Sequence, residues 1–177
     1  MPSTDLASFL KARVRTVRDW PKAGINFRDV TTLFQDPEAF RAMVEAFALD
    51  CTTQKIGIIA AVDARGFILG GALAYQLHKP FVLVRKKGKL PHKTVFADYA
   101  LEYGTDALEI HDDAIRKGQR VLIVDDLLAT GGTARATADL VKRLGGEVCA
   151  LAFMIELEAL NGRQRLAEET VHSVLKY

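Results

Sequence analysis

The sequence has little cysteine and no long apolar run. Its two cysteines, Cys51 and Cys149, are too few for a disulfide framework or a zinc site, and their apolar surroundings predict ordinary buried thiols. No apolar stretch is long enough to cross a bilayer, so we expect no membrane partner. The polar, acidic residues 1–5 are unlike a signal or transit peptide, which predicts a cytoplasmic protein.

An excess of one charge is also missing. The 24 Lys and Arg and 22 Asp and Glu leave a net charge of +2, with both signs interspersed, which does not suggest a nucleic-acid partner. The 177 residues contain no repeat, low-complexity stretch or evident linker. We therefore predict a single domain over residues 1–177 with one well-covered core.

Two common nucleotide-binding motifs are absent. The chain has no Gly-x-Gly-x-x-Gly, and no Lys-Ser or Lys-Thr follows Gly131-Gly132, so neither a Rossmann loop nor a Walker A loop fits. Instead, the apolar run at 121–124 predicts a buried parallel strand, and the apolar spacing over 134–144 predicts a helix. The intervening residues 129–133 are then a loop at a helix N-terminus.

This loop and the acids before it predict a phosphorylated sugar ligand. The amides, hydroxyls and glycines of 129–133 can wrap a phosphate group. A glycine loop alone is more often a structural turn, but Asp125 and Asp126 precede this one. Adjacent carboxylates at the end of an apolar strand need a cationic or hydroxylated partner. They are placed to hold either sugar hydroxyls or a divalent cation.

Strand and helix patterns alternate along the chain, which predicts a mostly parallel sheet with helices on both faces and ligands at the carboxyl ends of the strands. We predict strands at 56–62, 81–84, 121–124 and 148–155, helices at 5–17, 67–77 and 134–144 and from Asp36-Pro37 onward, and irregular structure at 20–34. Residues 86–106 have no sustained periodicity, and we predict a lid with some β-hairpin character.

Two further basic sites follow predicted strands. Arg65, in the Asp-Ala-Arg-Gly-Phe turn after 56–62, offers the planar fork that binds phosphate oxygens, although a surface arginine in a turn is the simpler interpretation. The cluster Arg85-Lys86-Lys87-Gly88-Lys89 is either a solvated face or a second anion site. Composition alone gives Glu102 little support.

The chain resembles the adenine phosphoribosyltransferases, a family of type I phosphoribosyltransferases, from end to end. The matching segments are 24–29, 63–67, 84–91, 101–105 and 124–133. The last segment resembles the phosphoribosyl pyrophosphate (PRPP) signature and identifies only the superfamily. The pieces Phe-Arg-Asp at 27–29, Gly-Lys-Leu-Pro at 88–91 and Leu-Glu-Tyr-Gly at 101–104 single out the adenine family.

The resemblance implies an α/β type I phosphoribosyltransferase fold, with a central mostly parallel sheet flanked by helices. It also implies a small hood at about 1–35 and a flexible catalytic loop at about 86–106. The implied reaction converts adenine and PRPP to AMP and pyrophosphate in purine salvage, with Mg²⁺. A homodimer with Arg85 near the second copy's site and a cis peptide at Asp63-Ala64 are implied as well.

Roles at the matched positions follow from the same resemblance. Asp125 and Asp126 would hold the ribose hydroxyls, and Mg²⁺ would be held mainly by PRPP or pyrophosphate, with this acid pair as candidate protein ligands. Glu102 would exchange the proton on purine N7, with Tyr103 beside it and Arg65 as the third catalytic residue. The 5′-phosphate would meet Ala129, Thr130, Gly131, Gly132 and Thr133; the pyrophosphate Arg65, Arg85, Lys86 and Lys89; and adenine Phe27, Arg28 and Leu127.

Two alternatives remain open from the sequence. Relatives specific for 6-oxopurines usually carry a lysine after the PRPP loop, whereas Lys142 is too far along the predicted helix. A non-catalytic PRPP sensor normally appends a DNA-binding domain or lacks the lid carboxylate. The chain leaves no room for a helix-turn-helix and has no basic stripe.

Overall fold

The computed structural model describes residues 4–100 and 105–177. The helices in this part of the chain are α1 (Thr4–Lys11), α2 (Thr31–Phe34), α3 (Pro37–Asp50), α4 (Gly66–Leu77) and α5 (Gly132–Arg143). The strands are β1 (Arg15–Arg18), β2 (Asn26–Asp29), β3 (Ile58–Val62), β4 (Phe81–Lys86), β5 (Thr94–Ala100), β6 (Thr105–His111), β7 (Arg120–Leu128), β8 (Glu147–Glu156) and β9 (Val171–Lys176). Short 3₁₀ helices cover Thr52–Gln54, Glu158–Leu160 and Gly162–Leu166.

The described residues form a seven-stranded sheet in the order β5-β6-β4-β3-β7-β8-β9, and β1 pairs with β2 in a separate antiparallel sheet. Strands β4, β3, β7, β8 and β9 run parallel, whereas β6 is antiparallel to β4 and β5. The predicted α/β fold with a mostly parallel central sheet is therefore confirmed.

The sheet is buried on both faces, as the continuous apolar strands predict. Ile59 and Ala61 of β3 face a cluster that contains α3 and α4, while Ile58 and Ala60 face a second cluster that contains α5. This alternation follows from the two-residue period of a strand. Both cysteines are buried and unpaired, as predicted, and burial raises the pKa of Cys51 to about 12.

The prediction for the N-terminal region is wrong in its details. The helix expected over 5–17 ends at Lys11, and residues 15–18 form β1. Residues 20–34 are not uniformly irregular, because they contain β2 and α2. The four-residue strands form by pairing with each other, Arg15 opposite Asp29 and Arg18 opposite Asn26, a long-range contact that local periodicity does not reveal.

Several other boundaries also differ. Strand β7 continues past Val124 to Leu128, because its later residues pair with β8. Helix α5 begins at Gly132 instead of Ala134, and β9 was not predicted. The described part of the predicted lid contains β5 and the start of β6, so its hairpin character is confirmed.

The expected N-cap is confirmed too, since the Asp36 carboxylate accepts hydrogen bonds from the amides of Glu38 and Ala39. None of the helices in the described ranges is long and apolar enough to cross a membrane.

Candidate active site

The loop between β7 and α5 encloses a small pocket at the carboxyl end of the sheet. Residues 127–134 line a cavity of about 60 Å³. Gly131 has a φ of +81°, a conformation that favours glycine, and the helix starts at the next residue. The predicted loop at a helix N-terminus is present, with Gly132 and Thr133 in the first helical turn. Amides in such a turn have no partner within the helix and attract anions.

The two acids lie inside β7, just before this loop. Asp126 is buried, and its backbone N–H donates to Asp125 Oδ1 at 2.8 Å. Burial and the neighbouring charge of Asp126 raise the pKa of Asp125 well above its usual value. The side chain of Asp125 also lies close to the start of α4, because a Cβ atom on Gly66 would come within 3.0 Å of Asp125 Oδ1.

Arg65 connects the acid pair with the N-terminal region. It precedes the first residue of α4, and its Nε donates to Asp126 Oδ2. Its guanidinium carbon lies 5.9 Å from the ring centroid of Phe27 in β2. Because β3 and β7 are adjacent parallel strands, Arg65, just after β3, and Asp126, near the end of β7, lie at the same edge of the sheet.

Arg85 occupies the end of β4, the strand on the other side of β3. Its Nε donates to Asp63 Oδ2 at 2.9 Å and its Nη1 to the carbonyl of Lys89 at 3.1 Å. Asp63 directly follows β3, and the Asp63-Ala64 peptide is cis, as expected. The structure thus places both predicted arginines beside carboxylates at the ends of adjacent strands.

The lysines that follow Arg85 contact the β5–β6 hairpin. Lys86 Nζ lies 3.1 Å from Asp106 Oδ2, and this hydrogen bond raises the pKa of Lys86. Lys87 Nζ lies 3.7 Å from the ring centroid of Phe96. The backbone N–H of Lys89 donates to Glu109. The three lysine side chains are exposed, as a solvated face predicts, while these contacts order the turn after β4; their role as an anion site stays a prediction.

Two of the residues predicted to bind the base lie in β2. The Phe27 ring packs edge-on against Trp20 at 4.5 Å between centroids. Arg28 donates to Thr16 Oγ1 at 2.6 Å, and its guanidinium carbon lies 4.1 Å from the ring centroid of Tyr177. Leu127, the third predicted residue, is partly buried against the core and lines the loop pocket.

Comparison with known proteins agrees with this geometry. The phosphoribosyl transferase domain family matches residues 30–173. Adenine phosphoribosyltransferase from Methylorubrum extorquens strain PA1 is 53% identical over 172 residues, covering 96% of this chain and 95% of the relative. This chain belongs to the adenine phosphoribosyltransferase family.

Solved structures of family members have the same fold. Adenine phosphoribosyltransferase from Thermoanaerobacter pseudethanolicus is 48% identical with a TM-score of 0.94, covering 97% of this chain and 99% of that chain. The enzyme from Saccharomyces cerevisiae, complexed with an imino-altritol bisphosphate and adenine, is 38% identical with a TM-score of 0.93, covering 97% and 99%. The type I phosphoribosyltransferase fold predicted from the sequence is confirmed.

Two residues that contact segments of the candidate site were missed by sequence reasoning. Glu109 is buried, and it accepts hydrogen bonds from the amides of Lys89 and Leu90, both at 2.8 Å, and from Thr94 Oγ1 at 3.1 Å. Burial raises its pKa, but these bonds outweigh burial and the pKa of Glu109 is lowered. The signal in the sequence that could have identified Glu109 was a charged residue between the apolar Leu108 and Ile110. The second residue, Gly162, gave no such signal in the sequence. It packs against the backbone of Ala129, which is distant along the chain.

The catalytic pair implied by the family resemblance, Glu102 and Tyr103, lies outside the described residues. Their roles therefore stay predictions. The described strands β5 and β6 pair antiparallel, in a register that runs from Thr94 opposite His111 to Ala100 opposite Thr105.

Proposed function

We propose that this chain transfers the 5-phosphoribosyl group of PRPP to adenine, releasing pyrophosphate and forming AMP, in purine salvage. The observation that carries this proposal is the Arg65–Asp126 contact beside the loop pocket, in a chain of the adenine phosphoribosyltransferase family. The yeast relative holds adenine and a bisphosphate together, and such a ligand pair needs a base pocket and two anion sites.

The loop 129–133 binds the 5′-phosphate in this proposal. Amides at the start of α5 and the hydroxyls of Thr130 and Thr133 surround the pocket, and the helix dipole favours negative charge there. Asp125 and Asp126, which lie in β7 just before the loop, accept hydrogen bonds from the ribose 2′- and 3′-hydroxyls. A sugar phosphate thereby spans the loop and the acid pair.

The pyrophosphate is bound on the opposite side of the ribose by Arg65 and Arg85, with Lys86 and Lys89 nearby. Both arginines use Nε for a carboxylate, Asp126 in one case and Asp63 in the other. These ion pairs orient the planar guanidinium groups before the ligand arrives. Preorganised donors stabilise charge that develops on a leaving group more effectively than mobile ones.

Magnesium fits this donor set. Mg²⁺ in phosphate-transfer sites is usually held by one or two carboxylates, substrate phosphates and water. The described residues contain no group of three or more metal-ligating side chains, so a ligand phosphate must complete the coordination. Asp125 and Asp126 are the protein ligands we propose, and bound magnesium would neutralise charge on the pyrophosphate.

Adenine lies between Phe27, Arg28 and Leu127 in this proposal, under a hood formed by about residues 1–35. Glu102 accepts the proton from purine N7 as N9 attacks the anomeric carbon, and Tyr103 stands beside it. Departure of pyrophosphate gives the ribose oxocarbenium character, as in glycoside hydrolysis. The catalytic loop, about residues 86–106, closes over the site and excludes the water that would otherwise capture this carbon.

We further propose a homodimer formed through α4 and β4. Large apolar side chains are exposed on this part of the surface: Ile68, Tyr75, Phe81 and Leu83. Large apolar side chains exposed on neighbouring elements are typical of protein interfaces. Arg85 lies in the same strand, so a second copy docked there would bring it near the neighbouring site. Sedimentation of the wild type and of Tyr75→Asp tests this, with a monomeric wild type as the contrary result.

The two unpaired thiols support our placement of the enzyme in the cytoplasm, a reducing compartment.

A base-competition assay tests the proposed reaction. Purified protein is incubated with PRPP, Mg²⁺ and equimolar adenine, hypoxanthine and guanine, and each nucleotide product is quantified. We expect AMP to exceed the other products by orders of magnitude. Equal turnover of hypoxanthine would contradict the adenine assignment, and PRPP binding without any nucleotide product would indicate a sensor.

A further inference from the structure

An ion pair between a buried glutamate and a partly exposed arginine fixes the segment that connects β8 with β9. Glu156, the last residue of β8, is only 5% exposed. Arg163 contacts it through two parallel hydrogen bonds, Nε to Oε1 at 2.6 Å and Nη2 to Oε2 at 2.8 Å. Ser173 Oγ of β9 donates to Glu156 Oε2 at 2.5 Å. This arrangement holds three parts of the chain together at one carboxylate.

All three nitrogens of the Arg163 guanidinium donate hydrogen bonds within the protein. Besides Glu156, its Nη1 donates to the carbonyl of Val171 at 3.0 Å and its Nη2 contacts Ser173 Oγ at 3.1 Å. Such a geometry requires the planar fork of arginine, which lysine cannot reproduce. The hydrogen bonds of Arg163 thus hold β8, β9 and the connecting segment in one arrangement.

The residue next to Arg163 packs against the loop that we assign to the 5′-phosphate. A Cβ atom on Gly162 would lie 2.2 Å from the carbonyl oxygen of Ala129. In the reverse direction, a Cβ atom on Gly131 would lie 2.5 Å from the carbonyl oxygen of Gly162. The two backbones thus touch without intervening side chains. A shift of Gly162 by even part of an ångström must move the loop.

A second contact joins the same segment to β7. The backbone N–H of Leu157 donates to the carbonyl of Leu128 at 2.9 Å, immediately before the loop. Asn161, with a φ of +53°, then turns the chain so that Gly162 reaches Ala129. The connection after β8 therefore packs against the loop at Leu128, Ala129 and Gly131, and the Glu156–Arg163 pair holds this connection to β8 and β9.

We infer that Glu156 and Arg163 are positioning residues for phosphoribosyl binding, acting through the contact of Gly162 with Ala129 and Gly131. This inference rests on the proposed function, since it assigns the loop to the 5′-phosphate. The segment that carries Arg163 reaches the candidate site through Gly162, whose nearest contacts are with Ala129 and Leu128, at the loop assigned to the 5′-phosphate. Loss of the pair should therefore weaken binding of the sugar phosphate selectively.

Replacement of Arg163 by lysine tests the inference. Ribose 5-phosphate is the probe for direct binding by calorimetry, and steady-state kinetics give KM for PRPP, KM for adenine and kcat. We expect Arg163→Lys to raise the Kd of ribose 5-phosphate and KM for PRPP about tenfold, a loss typical of a charge-assisted hydrogen bond. KM for adenine and kcat should change less than about twofold.

The chain offers a matched control pair. Lys142 Nζ lies 2.6 Å from Glu169 Oε1, with side-chain exposures of 42% and 7%, the same values as Arg163 and Glu156. Lys142 lies at the opposite end of α5 from the phosphate loop. Lys142→Met should leave all four constants within about twofold of wild type, so an effect of Arg163→Lys beyond this range is not a general consequence of losing an ion pair.

Gly162→Ala tests the contact between the connecting segment and the loop, and it leaves the ion pair intact. The added methyl group meets the Ala129 carbonyl, so we expect the same selective loss of ribose 5-phosphate affinity. The inference is overturned if Arg163→Lys or Gly162→Ala folds and retains wild-type affinity for ribose 5-phosphate, or if adenine and sugar-phosphate constants worsen equally. The wild-type assay for AMP formation separately decides the proposed function, because the binding measurement does not depend on turnover.

Discussion

Arg65, in the turn between β3 and α4, donates a hydrogen bond to Asp126 near the end of β7. This contact joins a residue predicted to bind pyrophosphate, Arg65, to a residue predicted to bind ribose, Asp126. It also orients the guanidinium, whose carbon lies 5.9 Å from the ring centroid of Phe27. One arginine thus lies between the proposed sugar, pyrophosphate and base sites, and its geometry should control productive PRPP binding.

Arg65→Lys tests that relationship. Lysine keeps the charge but cannot bind a carboxylate and a phosphate through one planar group. We expect kcat/KM for PRPP to fall about 10- to 100-fold, the range for loss of a charge-assisted hydrogen bond. Arg13→Lys is the control, because Arg13 forms a similar pair with Asp36 at 2.7 Å outside the proposed site. Equal kinetics for Arg65→Lys and Arg13→Lys would remove Arg65 from PRPP binding.

The resemblance, and not the described structure, assigns the acid–base role to Glu102, so it needs its own test. Glu102→Gln keeps the shape of the side chain and removes its ability to exchange a proton. We expect turnover to fall about 10²–10⁴-fold, the usual range for general acid–base catalysis, with PRPP affinity largely retained. Glu45→Gln, in the exposed face of α3, is the control. Wild-type turnover in Glu102→Gln would exclude this role.

Much of the central fold could be predicted because its signals are local. The buried strand β3 is continuously apolar, and Asp36-Pro37 contains both the cap and the first-turn proline of α3. Strands β1 and β9 could not be predicted in this way. Arg15–Arg18 has no buried face of its own, and Val171–Lys176 mixes polar and apolar residues. Both strands form because a partner strand provides the missing hydrogen bonds.

The residues of the candidate site also differ in whether local sequence signals could predict their contacts. Arg65 and Asp126 follow predicted strands, so their meeting at one sheet edge could be expected from topology alone. Glu109 and Gly162 act through contacts with turns elsewhere in the chain, and their residue types reveal nothing of those partners. The extent of β7 was also underestimated, because Asp125 and Asp126 belong to the strand through their pairing with β8.

The raised pKa of Asp125 predicts a cost to stability at neutral pH. Its folded pKa lies above the ordinary value of 3.8, so the native state binds the proton more tightly than the unfolded state. Stability from this group is fully present below pH 3.8 and is lost as the pH rises through the folded pKa. Asp125→Asn removes the charge while keeping an oxygen that can accept from the amide of Asp126.

We therefore expect Asp125→Asn to raise Tm by about 2–4 °C at pH 7.5, the shift that corresponds to roughly 1 kcal/mol in a chain of this size. The gain should shrink at pH 4, and affinity for PRPP should fall at neutral pH. Such a trade between stability and activity is common at functional sites. Calorimetric melting at both pH values checks this, and a lower Tm at pH 7.5 would contradict it.

Asp29, directly after the proposed base-binding residues, has the opposite shift. Hydrogen bonds from the Thr31 hydroxyl at 2.7 Å and amide at 2.9 Å, with Arg15, lower its pKa from 3.8 to about 2 against the effect of burial. Its stabilising effect is therefore present above pH 3.8 and is lost as the pH falls through about 2. The β1–β2 pairing, in which Arg15 lies opposite Asp29, should weaken in that window.

Thr31→Val removes the hydroxyl donor and keeps the side-chain shape. We expect the titration midpoint of the Asp29 carboxyl, followed by NMR, to move from about 2 toward 3.8, so that the hood loosens at higher pH than in the wild type. Thr32→Val is the control, because the Thr32 hydroxyl donates to the backbone of Arg13 at 2.6 Å and makes no bond to the Asp29 carboxylate. If the midpoint is unchanged in Thr31→Val, the Thr31 hydroxyl does not cause the low pKa, and the Thr31 amide and Arg15 must account for it.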